Sequence, residues 1–297
     1  WNTTLTLSHN KNSVKALTGE AVQLYEARFG FNQNTHRIAV GEPLGQFYGY
    51  ITEGLYQVDD FNYDASTQTY TLKDGIPYHG DKGQIRPGMW KFKNLTGDDN
   101  VIDENDKTVI GNAQPKFYGG LNNSFTYKGF DLSIFLTFSY GNEVLNATKL
   151  VTSKVGSLNY NALDVMNSSN RWMTINSDGQ KVTDPGELAA LNAGKTVAAY
   201  HDAQQGDNYI HSWAVEDASY LKLSNVTLGY TFPKNLIARI GLKNLRLYAT
   251  GNNLLTWTKY SGFDPEVSTM KSGLTPGVDF GAYPLSRSFI FGLNVAF

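Results

Sequence analysis

The sequence predicts an all-β protein that forms part of an antiparallel transmembrane β-barrel. Two runs of alternating apolar and polar residues, at positions 220–232 and 245–250, are followed by the aromatic residues Trp257 and Tyr260. A third alternating run, at positions 289–297, ends on Phe297. Strands with period two and rings at one end are typical of membrane-spanning strands, because apolar side chains face lipid while the rings lie among the headgroups.

Residues 117–139 are the clearest predicted hairpin. Leu121, Phe125 and Tyr127 share one face before a two-residue turn at Lys128-Gly129. After the turn, apolar residues at even positions alternate with mainly polar residues at odd positions. Each leg has about nine residues, which is close to what a tilted strand needs to cross a bilayer. Strands of soluble sandwiches more often have about five or six.

Further candidate strands bring the expected number of spanning strands to about seven or eight. They lie at residues 1–8, 21–31 and 40–51. Loop-like segments at 59–90 and 142–213 separate the strands, and a short helix is expected at 184–192. Long loops on one side and short turns on the other are typical of outer-membrane barrels. Because the chain begins in an alternating run without Met, we expect residues 1–297 to be a fragment of a longer protein.

Composition excludes several classes of function. The chain carries 25 basic and 27 acidic residues, so its net charge of −2 gives no electrostatic reason to bind nucleic acid. It contains no Cys, which excludes disulfides, cysteine zinc sites and thiol nucleophiles. Its five His follow no metal-binding spacing, and no nucleophile, phosphate or dinucleotide motif is present. We therefore predict no catalytic residue, no required cofactor and no enzymatic activity.

An acidic segment at residues 94–111 approximates a calcium-binding loop, in which alternate oxygen ligands converge on one cation. The segment departs from the motif at one point, because it has two residues where the motif requires a single Gly. The alternative is a polar loop whose side chains satisfy its own backbone. The candidate Ca²⁺ ligands are Asn94, Thr96, Asp98, Asp103 and Asp106.

Aromatic residues in the predicted loops are candidates for contact with a sugar or peptide, because flat rings beside Asp and Asn suit such ligands. The alternative is that they pack the loops together. The candidate ligand-binding residues are Tyr56, Tyr78, Trp90, Trp172, Tyr209 and Trp213. Trp257 and Tyr260 are assigned instead to the membrane girdle. The terminal aromatic Phe297 resembles the C-terminal assembly signal of outer-membrane barrels.

Several sequence strings resemble the SusC/RagA family of TonB-dependent outer-membrane transporters, and they occur in the family's order over nearly the whole chain. They are VGEPLGQFYGY at 40–50, EGLY at 53–56, PGMWKFKNL at 87–95, VIDENDKTVIGN at 101–112, PKFYGGLNNSF at 115–125, SYLKL at 219–223, LGY at 228–230, GNNLLTW at 251–257 and YPLSRSF at 283–289.

The resemblance implies the C-terminal portion of a 22-stranded barrel in the outer membrane of a Gram-negative, Bacteroidetes-like bacterium. The plug and the TonB-contacting segment of the family are not among these residues. It also implies import of oligosaccharides or peptides, a SusD-like lipoprotein lid, outer-membrane lipid around the barrel, and energy from TonB-ExbB-ExbD. Two alternatives stay open: a secreted β-sandwich that binds glycan with a calcium loop, and a barrel that serves as a scaffold in a larger outer-membrane complex.

Overall fold

The structure is a computed structural model, and it describes residues 1–26, 34–97, 99–153, 161–199, 209–269 and 272–297. In chain order its strands are β1 Asn2–Ser8, β2 Val22–Glu26, β3 Asn34–Ala39, β4 Gln46–Gly49, β5 Thr52–Leu55, β6 Phe61–Asp64, β7 Thr69–Leu72, β8 Tyr78–His79, β9 Trp90–Phe92, β10 Val101–Ile102, β11 Thr108–Asn112, β12 Phe117–Tyr127, β13 Phe130–Tyr140, β14 Glu143–Asn146, β15 Val215–Asp217, β16 Tyr220–Thr231, β17 Asn244–Thr258, β18 Val278–Asp279 and β19 Ser288–Ala296. The α-helices are α1 Ala147–Thr152, α2 Pro185–Leu191 and α3 Lys234–Ile237. Short 3₁₀ helices lie at Val58–Asp60, Lys82–Gln84, Glu104–Asp106, Asp164–Met166, Ser212–Ala214 and Ala238–Ile240.

The principal element is a six-stranded sheet with the order β1-β12-β13-β16-β17-β19. Every neighbouring pair in it is antiparallel. The predicted hairpin of β12 and β13 is confirmed, with legs of 11 residues each. Its turn has Lys128 at φ 46° and Gly129 at φ 88°. Two successive positive φ angles match the twist of antiparallel strands, which explains why two residues suffice to reverse the chain.

The strand register places apolar residues on one face of the sheet across all six strands. One such row runs Leu5, Leu121, Leu136, Leu223 and Leu255, each directly opposite the next. We call this surface the apolar face. Many of its side chains are exposed, because no other element in the described part of the chain covers it; Leu228 and Phe291, for example, are 51% and 81% exposed. A continuous exposed apolar surface of this kind requires lipid or another apolar partner.

Aromatic rings lie at both ends of the apolar face. Phe117 stacks on Tyr140 at the loop end, with ring centroids 4.9 Å apart. At the turn end, the Phe130 and Tyr230 ring centroids are 4.5 Å apart. A strand of 11 residues, tilted by about 40°, covers about 26 Å of a membrane normal, which matches the apolar band between the two girdles of a barrel. The length and both aromatic rows therefore fit a bilayer.

The expected count of seven or eight spanning strands is corrected to six in the described part of the chain. Residues 40–51 do not span: they contribute β4, a four-residue strand in a separate sheet of order β11-β4-β3-β2. Phe47 is fully buried there, so its ring packs in a protein core rather than against lipid. Of the candidate strand at residues 21–31, β2 joins the same small sheet, and residues 27–31 lie outside the described part.

The long connections form a packed unit of their own at the loop end of the sheet. One buried cluster contains Tyr50, Trp90, Phe92 and Trp172, and a second is built around Phe47. The expected short helix is confirmed as α2, in which the Asp184 side chain accepts hydrogen bonds from the first turn and Pro185 occupies the first helical position. None of the helices in the described residues has the length and apolarity that a membrane crossing requires.

Candidate functional site

The face of the six-stranded sheet opposite the apolar face carries mainly hydroxyl and amide side chains, and we call it the polar face. Its side chains bond across neighbouring strands. Thr137 and Ser224 lie 2.7 Å apart through their hydroxyl oxygens, and Asn225 donates to Asn252 at 2.8 Å. The register of β16 shifts between Leu223 and Asn225, so its polar positions change from even to odd at Ser224. The period-two alternation on each side of this bulge produces a hydrated surface on this side.

An ion pair lies on the polar face near the turn end. Arg246 donates to both carboxylate oxygens of Asp131, at 3.0 and 2.5 Å, and its guanidinium lies 5.0 Å from the Tyr248 ring centroid. Gly229 and Gly292 leave room for the Arg246 guanidinium and the Tyr248 ring, respectively. A Cβ at Gly229 would come within 2.4 Å of Arg246, and one at Gly292 within 2.1 Å of the Tyr248 ring. The geometry is bidentate, which holds the guanidinium and the ring in a fixed orientation over the polar face.

A second charged cluster lies at the loop end of the polar face. Lys222 is only 4% exposed and pairs with Asp264 at 3.6 Å. It also donates to Glu266, whose other carboxylate oxygen accepts a 2.5 Å hydrogen bond from the Tyr220 hydroxyl. Asp264 and Glu266 belong to the connection between β17 and β19, so these bonds tie that connection to the wall of the sheet.

The same connection is fixed at two further points. The Glu216 carboxylate accepts hydrogen bonds from the Ser261 backbone N–H at 2.8 Å and hydroxyl at 2.9 Å, and pairs with Lys149 at 3.0 Å. Burial raises the pKa of Glu216, but these bonds and the Lys149 charge outweigh it and hold the pKa below its ordinary value. The Tyr260 hydroxyl donates to Asp279 at 2.6 Å. Burial, and then this bond, raise the pKa of Tyr260 well above its ordinary range, so the phenol stays protonated.

A buried histidine joins the small sheet to the connection between β17 and β19. His36 in β3 is fully buried, and burial lowers its pKa to about 4. Its Nε2 lies 2.9 Å from the Pro276 carbonyl oxygen and its Nδ1 lies 2.8 Å from the Thr35 hydroxyl. A neutral ring that donates from Nε2 and accepts at Nδ1 satisfies both contacts, which is a structural rather than a catalytic arrangement.

In the acidic loop, Asp106 organises the backbone. One of its oxygens accepts from the Leu95 and Thr96 N–H groups and the Thr96 hydroxyl, and the other accepts from the Asp103 N–H. Burial raises the pKa of Asp106, and the four hydrogen bonds more than offset this, so the pKa is below its ordinary value. A carboxylate so engaged has little capacity left for a cation.

The other predicted calcium ligands in this loop serve similar local roles. Asn94 accepts from the Gly97 N–H at 3.0 Å, and Asp103 accepts from the Asn105 N–H at 2.7 Å. Asp98 lies outside the described residues. Within the part of the chain that the structure describes, no three acidic or histidine side chains converge to hold a metal ion. The Ca²⁺ site stays a prediction, and this arrangement of its ligands favours the self-satisfied loop.

The candidate ligand-binding aromatics divide into two groups. Tyr56, Trp90 and Trp172 are 0%, 4% and 1% exposed, so the expectation that they present faces to a ligand is corrected: they pack the loop core. Tyr56 also donates to the Pro77 carbonyl at 2.7 Å. The second group consists of Tyr78, Tyr209 and Trp213, which are partly buried and pack against buried clusters of the loop unit. Ligand contact by these three stays a prediction.

The two residues assigned to the girdle, Trp257 and Tyr260, lie in different environments. Trp257 is 52% exposed and lies opposite Leu221 on the apolar face, near its loop end, which is where a girdle residue belongs. Tyr260 is only 5% exposed and is bonded to Asp279, so its assignment to the girdle is corrected to that of a residue at the loop base. Phe297 is 81% exposed at the turn end, and its role as an assembly signal stays a prediction.

Sequence reasoning missed the ion pairs of the polar face. Lys222, Asp131 and Arg246 stand at polar positions of alternating strands, and that parity is the signal that could have marked them. Their partners could not be inferred, because Asp131 and Arg246 are brought together only by the pairing of β13, β16 and β17.

Comparison with known proteins supports this architecture. No protein-family model matches the chain. TonB-dependent receptors P3 and P39 of Formosa agariphila are 33% and 30% identical to it, and TonB-dependent receptor SusC of Bacteroides thetaiotaomicron is 26% identical. Each alignment covers 100% of this chain but 27%, 28% and 24% of the respective relatives. The chain therefore spans about a quarter of the length of the curated relatives it matches.

Solved structures show the same fold. The RagAB peptide transporter superposes with a TM-score of 0.64 at 21% identity, covering 99% of this chain and 26% of that one. The RagAB peptide importer in its closed-closed state gives 0.64 at 20% identity, with 99% and 27% covered. The relatives and the fold define the class: the chain is similar over its whole length to TonB-dependent receptors, and its sheet is part of an antiparallel transmembrane β-barrel.

Within that class, the resemblance to the SusC/RagA family is confirmed, since SusC and RagAB are among the proteins that match from end to end of the chain. The names of these relatives are those of receptors and transporters, which agrees at that coarse level with the prediction that the chain is not an enzyme.

Proposed function

We propose that this chain is the C-terminal part of the barrel wall of a TonB-dependent importer in the outer membrane of a Gram-negative, Bacteroidetes-like bacterium. In this proposal the apolar face contacts lipid and the polar face lines the passage through which the substrate moves. The observation that carries it is the division of one six-stranded sheet into a continuous apolar face and a continuous polar face. Because no element among the described residues covers the apolar face, a wall between hydrocarbon and water is the arrangement that makes use of both.

We propose oligosaccharides or peptides as the cargo. The polar face offers neutral hydroxyl and amide groups, and its charges are paired: Asp131 with Arg246, and Lys222 with Asp264 and Glu266. In the second cluster the carboxylates exceed the single cation by one. Such a surface can therefore bond hydroxyl-rich or amide-rich solutes while it carries little net charge. It suits a passage that must release what it admits.

We further propose that a SusD-like lipoprotein closes the loop end and that TonB-ExbB-ExbD supplies energy through a part of the protein beyond this chain. The similarity to SusC and the RagAB transporter supports both partners. The packed loop unit supports the first, because loops with cores of their own offer a rigid rim on which a lid could close.

The test uses the full-length receptor in its own outer membrane. Fluorescent oligosaccharides and peptides are supplied to cells with the receptor, without it, and with the receptor but without TonB. We expect uptake of one class only in the first strain, and co-purification of a lipoprotein with the receptor in mild detergent. Equal uptake in all three strains would show that the protein does not import that class, and would favour the scaffold alternative.

The exposure of the apolar face and the length of the strands argue against the alternative of a secreted β-sandwich. A sandwich covers the apolar face of one sheet with a second sheet at about 10 Å. In the described residues no second sheet packs there, and side chains such as Phe291 and Leu293 are 81% and 58% exposed. The strands of the main sheet are also 7 to 15 residues long, and four of them have at least 11.

A further inference from the structure

The turn end of the sheet carries a cluster of cations that the proposed transport path does not use. Two turns form it, at Lys128-Gly129 and at residues 232–243. Thr231, the last residue of β16 before the longer turn, donates a 2.8 Å hydrogen bond from its N–H to the Gly129 carbonyl and so brings the two turns side by side. We call these two turns the basic rim. Its cations are Lys128, Lys234, Arg239 and Lys243.

These cations lack acidic partners. The sequence of the two turns contains no Asp or Glu. Among the described residues, none of the four cations forms an ion pair with a carboxylate. The acidic group nearest along the strands, Asp131, is already bound to Arg246 on the polar face. The rim therefore carries net positive charge, although the chain as a whole has a net charge of −2.

The longer turn also exposes two large apolar side chains beside its cations. It contains α3 and the 3₁₀ helix Ala238–Ile240 in direct succession. Ile237 is 3% exposed and fixes the turn, whereas Leu236 and Ile240 are 56% and 69% exposed. Positions four apart in a helical segment lie on the same side. The turn thus presents a small apolar patch flanked by Lys234, Arg239 and Lys243.

The rim continues directly from the apolar face. Phe232 begins the longer turn, and its ring lies 5.0 Å from that of Tyr230, which in turn lies 4.5 Å from Phe130. Such a ring row marks the depth of the lipid headgroups. The Lys128 ammonium lies 5.2 Å from the Tyr127 ring centroid, just beyond that row. The cations are therefore placed at the level of the phosphates, with stems that can lie along apolar surface.

We propose that the basic rim binds the phosphate groups of anionic phospholipids in the leaflet at the turn end, with Leu236 and Ile240 inserted among the upper acyl chains. The proposal rests on the proposed function, in which the sheet spans the membrane with its apolar face against lipid. Charge complementarity and continuity with the lipid-facing surface both select lipid as the occupant. The rim then fixes the height of the barrel wall in the membrane at the end opposite the loops.

The experiment measures how deeply the longer turn is inserted. The full-length receptor, with any cysteine elsewhere replaced, receives Leu236→Cys labelled with bimane and is placed in nanodiscs. Quenching by lipids brominated on the acyl chain is compared between phosphatidylcholine alone and an equal mixture with phosphatidylglycerol. A second receptor carries K234Q/R239Q/K243Q. A charge-matched control carries K11Q/K15Q/K181Q, three exposed cations away from the turn end.

We expect stronger quenching in the mixture than in phosphatidylcholine alone, and loss of that gain in the rim variant but not in the control. In native mass spectra, the rim variant should retain phosphatidylglycerol about a hundredfold less tightly, because each basic residue near a charged surface contributes about fivefold. Equal quenching in both lipids would overturn the proposal, as would insertion that appears only when a soluble protein is added. The comparison between lipids uses unaltered cations, so it does not depend on the folding of the variants.

A probe at Phe291→Cys separates this proposal from the one on which it rests. Phe291 lies on the apolar face and is 81% exposed. If the Phe291 probe is quenched and the Leu236 probe is not, the rim proposal alone is overturned. If neither probe is quenched, the membrane seating of the sheet fails as well.

Discussion

A lysine at Ile134 should destabilise the barrel by far more than a lysine at its neighbour Ser133. Ile134 lies on the apolar face of β13, directly opposite Asn123 and Val226, whereas Ser133 lies on the polar face. The two positions share one depth and differ only in the side of the sheet. The comparison therefore isolates whether the apolar face contacts hydrocarbon.

The expected magnitude follows from position along the strand. With a rise of about 3.4 Å per residue and a tilt of about 40°, Ile134 lies about 10 Å from Phe130 and about 16 Å from Tyr140 along the membrane normal. This is near the bilayer midplane, where a lipid-facing Lys costs about 2–4 kcal/mol. Tyr140→Lys lies near the interface and should cost about 0–1 kcal/mol. Ser133→Lys faces water and should change the stability by about 0.5 kcal/mol or less.

The assay is equilibrium unfolding of the full-length receptor in lipid vesicles with guanidinium chloride, with the gel shift of folded barrels on heating as a second readout. The predicted order of destabilisation is Ile134→Lys first, Tyr140→Lys second and Ser133→Lys last. Equal costs at Ile134 and Ser133 would refute the assignment of the two faces. A cost at Tyr140 as large as that at Ile134 would refute the assignment of depth.

Three further predictions concern polar contacts. Asp131→Asn and Arg246→Gln should show a coupling energy of about 0.5–1 kcal/mol in a double-mutant cycle of unfolding, because both partners are partly exposed; additive effects would contradict the pairing. Tyr260→Phe should cost about 1–3 kcal/mol and increase hydrogen exchange in residues 259–269, because Asp279 loses its buried donor; Tyr283→Phe, at an exposed site, is the control and should have no effect. The acidic loop should be stable above the ordinary Asp pKa of 3.8 and open as the pH falls through the lower folded pKa of Asp106. Amide hydrogen exchange of Leu95 and Thr96 reports this opening, and in the Asp106→Asn variant this exchange should be fast at neutral pH. Unchanged exchange in the variant would show that Asp106 does not hold the loop.

The strands of the main sheet were predictable because the alternation that marks each strand is local in the sequence. Alternation in residues 117–139 specifies which side of β12 and β13 is apolar, and Lys128-Gly129 specifies the turn. A shift by one residue would place Asp131 on the apolar face, so the register is strongly determined. The helix α2 was predictable for the same reason, since Asp184 and Pro185 act within one turn.

The loop unit was not predictable to the same degree, because its contacts join residues far apart in the sequence. Trp172 is in the core because Gly88 leaves room for its indole, and nothing near Trp172 in the sequence indicates this. Gly49 similarly allows the Ile210 carbonyl to approach. An aromatic residue in a polar segment can pack a loop or bind a sugar, and only the fold distinguishes the two. That is why Tyr56, Trp90 and Trp172 were assigned to ligand contact.

The most direct test of the two-faced wall is a cysteine scan of residues 130–140 in the full-length receptor in intact outer membranes. The chain itself contains no Cys, so each substitution in it adds a single site. A charged, membrane-impermeant maleimide should label the odd positions 131–137 through the aqueous passage and leave the central even positions unlabelled; Ser139 is buried and should also stay unlabelled. We expect labelling with a period of two, and uniform labelling or uniform protection along β13 would contradict the division of the sheet into two faces.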